Sequence, residues 1–243
     1  MNSISAILNL YKRPHVLKQQ YEALMNQTIP PNEILIWRNN GSNIDEFDSE
    51  ILKNCKFANS NENWGVWSRY AYALNSKSRY IAVFDDDTIP APKWFENCLK
   101  LQEEEKCILG SIGVRFFDLA YSNYERFGWA NPNDDKVEVD IVGHSSFFPR
   151  ECLGAFWCEA QIPDHSLSGE DVHLSYAAQK YLKMKTYAAP HPSSDDSIWG
   201  SLPKEAMEYG VENHAISINY HGSHFGKNLE NYYQKGFKFF YAE

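Results

Sequence analysis

Apolar and polar positions fall in blocks along the first hundred residues, and the blocks alternate in period. Ser5 to Leu10 is a short, mostly apolar run broken by Lys12-Arg13-Pro14, which predicts a buried strand. Leu17, Tyr21, Leu24 and Met25 recur at helical spacing, predicting an amphipathic helix from about Val16 that Pro30-Pro31 stops. Glu33 to Trp37 reads as a second strand, closed by the turn-forming Asn39-Asn40-Gly41. Lys56 to Ala58 predicts a short third strand and Val66 to Ala73 a helix. Tyr80 to Phe84 predicts a fourth, fully buried strand, ending abruptly in Asp85-Asp86-Asp87.

Strand–helix alternation predicts an α/β fold with a mixed sheet of about six to eight strands, mostly parallel in its N-terminal half. Ligands of such sheets gather outside the carboxyl ends of the strands. Lys12-Arg13, Asn39-Asn40, Asn63 to Arg69 and the aspartate triplet all fall there. The second half is less regular. Gly110 to Phe116 and Val137 to Val142 read as strands, Gly169 to Leu182 as a helix, and Leu229 to Phe239 as a final helix. Pro190 to Ser201, rich in Pro, Ser and Asp, reads as a surface loop. No repeat or linker divides the chain, so residues 1–243 are expected to form a single domain.

Composition narrows the chemistry. The formal net charge is -9 and no long Lys/Arg run exists, which disfavours nucleic acid as a partner. Five cysteines, an odd number with no C-x-x-C, predict neither a disulfide framework nor a structural zinc site. No signal peptide is evident and no apolar run approaches the ~18 residues of a membrane span, so the expected setting is cytoplasmic. Fifteen Tyr and seven Trp suit a surface that stacks on sugars or bases, but a plain core is the weightier reading.

Three adjacent carboxylates repel one another unless a cation compensates them. A hard divalent ion, Mg2+ or Mn2+, takes oxygen ligands and bridges diphosphate oxygens. Following a buried strand, with Pro90 and Pro92 beyond, the Asp85-x-Asp87 spacing favours a metal site over a solvated acidic turn.

Tyr80 to Leu99 resembles the D-x-D region of GT-A glycosyltransferases, particularly family 2 and the exostosin-like family 64. Asn63-Trp64-Gly65 with Arg69 resembles the N-x-G-x-x-x-R segment preceding D-x-D in those enzymes. Leu10 to Pro14 resembles their first nucleotide-contacting loop, Asn39-Asn40-Gly41 the turn after their second strand, and Gly169-Glu170-Asp171-Val172 their Glu-Asp motif. The resemblance implies a GT-A fold whose nucleotide-binding half is about residues 1–100 and whose acceptor half is about 101–243. It implies a nucleotide-diphosphate sugar as donor and a glycan or lipid-linked acceptor, with possible peripheral membrane association. By resemblance Asp87 holds Mn2+ or Mg2+, Asp85 touches the metal or the ribose, and Asp86 contacts the nucleotide or shapes the turn. Lys12, Arg13, Asn39, Asn63 and Arg69 belong to the nucleotide side, and Asp171, with Glu170, to catalysis at the acceptor side. His221 or His224 would complete the metal shell, and His144 is a further candidate for sugar contact.

Other readings remain open at this level. Arg69, on a helix, also suits a plain surface position, and loop histidines are commonly just solvated. Ser168-x-x-Asp171 also matches a capping box, in which Glu170 and Asp171 merely suit a helix N-terminus. HAD-type phosphohydrolases place D-x-D after a strand too, although Ile89 and Pro90 depart from their pattern. A catalytically inert sugar-binding GT-A domain is the non-enzymatic alternative.

Overall fold

The computed structural model describes residues 2–159, 168–209 and 222–241, the side chains of 222–224 excepted. Its strands are β1 (Ile4–Leu10), β2 (Glu33–Arg38), β3 (Lys56–Asn59), β4 (Tyr80–Phe84), β5 (Ile108–Phe116), β6 (Tyr124–Gly128), β7 (Val137–Val139), β8 (Ile141–Pro149) and β9 (Thr186–Ala188). They form one sheet in the order β3-β2-β1-β4-β8-β5-β9-β7, with β6 paired to β5. The first four run parallel. β8 is inserted antiparallel between β4 and β5, so the sheet is mixed.

The helices described are α1 (Leu17–Met25), α2 (Ser49–Asn54), α3 (Trp67–Ala73), α4 (Trp94–Glu104), α5 (Glu151–Phe156), α6 (Glu170–Ala177), α7 (Pro203–Tyr209) and α8 (Gly222–Gln234). Among the described residues no helix is long and apolar enough to cross a membrane.

Both faces of the central strands are covered, which is why β1 and β4 read as unbroken apolar runs. Tyr80, Ala82 and Phe84 pack with Leu17 and Leu24 of α1 and Phe95 and Cys98 of α4. The alternate residues Ile81 and Val83 pack on Trp67 and Tyr70 of α3, with Phe156 and Leu174. A third cluster joins Val172 and Tyr176 of α6 to Leu229 and Tyr232 of α8.

The structure corrects several boundaries. Among the described residues nine strands are present, not six to eight. The expected strand Val137 to Val142 is two strands in different parts of the sheet, split at Asp140. That side chain accepts the backbone N–H of Phe116 at 2.8 Å and of Phe240 at 2.6 Å, and burial pushes its carboxyl up to about 6. The last helix stops at Gln234 instead of Phe239 because Gly236 turns the chain at φ 92°, sending Phe237 and Phe239 back into the third cluster. The helix from 170 widens into a π-helical turn over Ala178–Leu182.

Residues 190–201 are not a surface loop throughout, since His191 and Ser201 are fully buried. His191 Nδ1 donates to the Ala189 carbonyl at 2.8 Å, and Nε2 accepts the Gly200 N–H at 3.0 Å. Burial lowers this histidine to about 4, which keeps it neutral and fixes that tautomer.

Candidate active site

β1, β2 and β4 end at nearly one level, since Leu8 pairs with Phe84 and Leu10 with Arg38. Their carboxyl ends therefore bring Arg13, Asn39 and the aspartate triplet to one edge. β8 runs the other way, pairing Ser145 with Phe84, so its residue 144 faces the start of the acidic turn. The His144 carbonyl accepts the Asp85 N–H and the Thr88 hydroxyl, both at 2.9 Å. From the other side Gln20 of α1 donates its side-chain amide to the carbonyls of Asp85 and Thr88 at 2.8 and 2.9 Å. The turn is thus held by a strand and a helix that are distant in sequence.

His144 makes its contacts from a left-handed backbone, φ 61°. That conformation costs a residue with a Cβ roughly 1–2 kcal/mol. His144→Gly should therefore melt above His144→Ala, by about 2–4 °C if the difference is ~1 kcal/mol. Equal melting temperatures for the two variants would show that the backbone there carries no strain.

The three carboxylates have different partners. Asp85 is ion-paired with Arg69 of α3, whose second nitrogen reaches Glu170 at 2.9 Å. Asp86 is ion-paired with Arg13, which also donates to the Tyr209 carbonyl at 3.0 Å. Asp87 has Arg13 only at 3.7 Å. Burial pushes Asp86 up to about 7 against the pull of Arg13. Burial, and then the Asp85 charge, also push Asp87 up. Arg69 is only 5% exposed, and the surrounding negative charge, Asp85 foremost, outweighs its desolvation and holds it firmly protonated.

Asp171 completes the group. Its helix α6 is capped by Gly169 at φ 91°, where a Cβ would lie 2.7 Å from the Asn228 amide. The backbone and the neighbour both require glycine there. Among the described residues no side chain caps this helix, so the Ser168 capping box does not form. The Asp171 carboxylate instead lines a small cleft with Arg69, Asp85, His144, Ser145 and Ser146. Burial, then Glu170 and Asp85, raise it well above the usual carboxylate range, with Arg69 opposing. Asp85, rather than Asp87, is the triplet member that shares this lining.

Arg13, Arg69, Asp85, Asp86, Asp87, Glu170 and Asp171 thus form one charged assembly. Others of the expected residues stand apart. Asn39 is 2% exposed and fully bonded: it accepts from the Trp37 indole at 2.9 Å and the Trp64 N–H at 3.1 Å, and donates to Asn9 and the Gly65 carbonyl. It pins the 63–65 loop, and its side-chain amide is fully engaged within the chain. Asn63 is exposed and closes its own turn on the Gly65 N–H at 3.0 Å. Lys12 is exposed, over the Tyr11 ring. Glu170 is buried against Arg69 and positions that side chain. His221 lies outside the described residues, as does the side chain of His224. Among the described residues, no three His, Cys, Asp or Glu side chains converge as a ready-made metal cage. Gln20 was missed in the sequence, though a glutamine between Leu17 and Leu24 on the buried side of α1 was a visible signal.

This arrangement is that of a nucleotide-sugar transferase fold. Residues 5–154 match the model for glycosyl transferase family 2, well over half of the chain, and the chain belongs to that family. The phosphohydrolase alternative is thereby set aside. Among solved structures, S. aureus TarS matches with a TM-score of 0.55 and 14% identity over 98% of this chain and 44% of that one. S. aureus TarS 1-349 in complex with UDP matches with a TM-score of 0.54 and 13% identity over 98% of this chain and 72% of that one. At such identity the likeness is one of fold. The chain spans less than half the length of the longer TarS chain. No curated protein matches it in sequence.

Proposed function

We propose that this chain transfers a sugar from a nucleotide-diphosphate donor to a hydroxyl of a glycan or lipid-linked acceptor. The observation that carries this reading is the cleft itself. There Asp85 of the acidic turn meets an Asp171 carboxylate that has no hydrogen-bond partner among the described residues. Asp171 accepts the proton of the acceptor hydroxyl as general base, and its raised affinity for protons suits that task. His144 Nδ1 and Ser145 Oγ are buried, lack a partner among the described residues and line the same cleft, offering hydrogen bonds to a hydroxyl-rich ligand. The UDP bound to TarS makes uridine the first donor base to test.

A divalent cation, Mn2+ or Mg2+, fits the acidic turn. Asp87 is the carboxylate with the most distant ion-pair partner, and its negative neighbour Asp85 disfavours its charge. Asp87, with Asp85, would hold the ion. When bound, it would neutralise charge developing on the departing diphosphate. Arg69 holds Asp85 in place through its ion pair, and Arg13 with the Tyr209 carbonyl fixes the far side of the turn.

Release of UDP from a panel of UDP-sugars, with MnCl2 or with EDTA, tests the reading. The wild type should turn over one or more of them only with the metal. Asp87→Asn should lose most of that activity while melting normally, because relieving carboxylate repulsion does not destabilise the fold. Normal turnover by this variant in EDTA would refute the metal role.

A further inference from the structure

At the opposite end of the strands, a cavity of about 420 Å3 opens among Ser3, Lys77, Arg79, Lys106, Arg150 and Glu151. β4 begins at Tyr80 beside this cavity and runs five residues to the acidic turn. At the rise of an extended strand the two sites stand roughly 16 Å apart along it. The cavity is therefore separate from the cleft.

Its walls are fixed by the backbone. Tyr80 pairs with Pro149, so Arg79 and Arg150 flank the β4–β8 ladder directly. The Arg150 N–H donates to the Arg79 carbonyl at 2.9 Å, holding the two residues side by side. The preceding N–H groups are also tied down. Lys77 donates to Glu33 Oε1 at 2.7 Å, Ser78 to Ser76 Oγ at 3.3 Å, and Arg79 to Ser3 Oγ at 2.9 Å. Three consecutive main-chain donors satisfied by side chains make a segment that is ordered before any ligand arrives.

The charge on these walls is unbalanced. Lys106 pairs with Glu151 at 2.9 Å. Among the described residues, no carboxylate lies in ion-pair range of Lys77, Arg79 or Arg150. Lys77, Arg79 and Arg150, all exposed, thus line one concavity without an ion-pair partner among the described residues, Arg79 lying over the Tyr80 ring, in a chain whose net charge is -9. Guanidinium forks match the oxygens of a phosphate group in particular.

We propose that this cavity is a second anion site, taking a phosphate-bearing ligand between Arg79 and Arg150 with Lys77 at its rim. The inference does not depend on the transferase reading. Inorganic pyrophosphate, titrated calorimetrically in EDTA, is the soluble probe, and vesicles with or without phosphatidylglycerol are the lipid probe. The wild type should bind at least one, and Arg79→Gln/Arg150→Gln should weaken that binding by about tenfold or more. UDP affinity and melting temperature of the variant should match the wild type, because both arginines are exposed and outside the cleft. Loss confined to pyrophosphate marks a soluble phosphate ligand, and loss confined to vesicles marks a lipid headgroup. Equal binding by wild type and variant in both arms, or none by either, overturns the proposal.

Discussion

Asp171→Asn should lower turnover by about 10²–10⁴-fold with nucleotide affinity and melting temperature close to wild type. The rate follows from the role: asparagine keeps the shape but cannot take the acceptor's proton. The unchanged stability follows from the geometry. Helix α6 starts at Gly169 with no side-chain cap among the described residues, so no capping bond is lost. A favourable dipole interaction goes, worth roughly 0.3–1 kcal/mol, but so does repulsion from Glu170 and Asp85. A pH–rate profile adds a second readout. Burial and those two neighbours place the Asp171 proton affinity above the ordinary carboxylate range, and the base works only when deprotonated. Wild-type activity should thus rise with pH through an elevated carboxylate titration, and the variant should lack that limb. A variant with normal turnover but a depressed melting temperature would restore the purely structural role.

Arg69→Met should be the most destabilising single change at the site, by about 3–5 kcal/mol. Arg69 is the shared partner of Asp85 and Glu170. Methionine fills much of the space but strands both carboxylates beside Asp171. Denaturant titration should show the loss directly, and the melting temperature should fall by about 10 °C. The loss should be largest at neutral pH and shrink on acidification. Burial already raises the proton affinity of Glu170 and Arg69 opposes it, so without Arg69 this carboxyl binds its proton more tightly folded than unfolded and the folded state gains stability as it protonates. Adding Glu170→Gln to the variant should recover part of the stability, because it removes one of the stranded charges. A variant as stable as wild type at neutral pH would mean that water or rearrangement already compensates these charges.

Legibility in the sequence followed the range of the interactions. β1, β2 and β4 were plain because both their faces are buried and their residues are correspondingly apolar. The acidic turn was plain because its residues are contiguous. Arg69 was drawn to the site by the local pattern around Asn63, yet its bond to Glu170 spans 101 residues and left no local trace. Asn39 looked like a ligand contact because a polar turn residue ordinarily faces solvent, whereas here four hydrogen bonds turn it inward. Residues 190–201 misled for a related reason: their composition is polar, but His191 and Ser201 are drawn into the interior. The split at Asp140 was hidden because the residues on both sides are apolar and only the tertiary bonds to Phe116 and Phe240 separate them.

The insertion of β8 beside β4 has a consequence for synthesis of the chain. β4 gains its second hydrogen-bonded neighbour only when residues 145–149 have emerged, some sixty residues after it was made. Until then a fully apolar strand stands as a raw edge, its Tyr80 and Ile81 also awaiting Phe147 and Phe148. Such an edge recruits other strands readily. A chain truncated near residue 100 would keep β1 to β4 but should aggregate rather than fold, and the nascent chain is most vulnerable over that same interval.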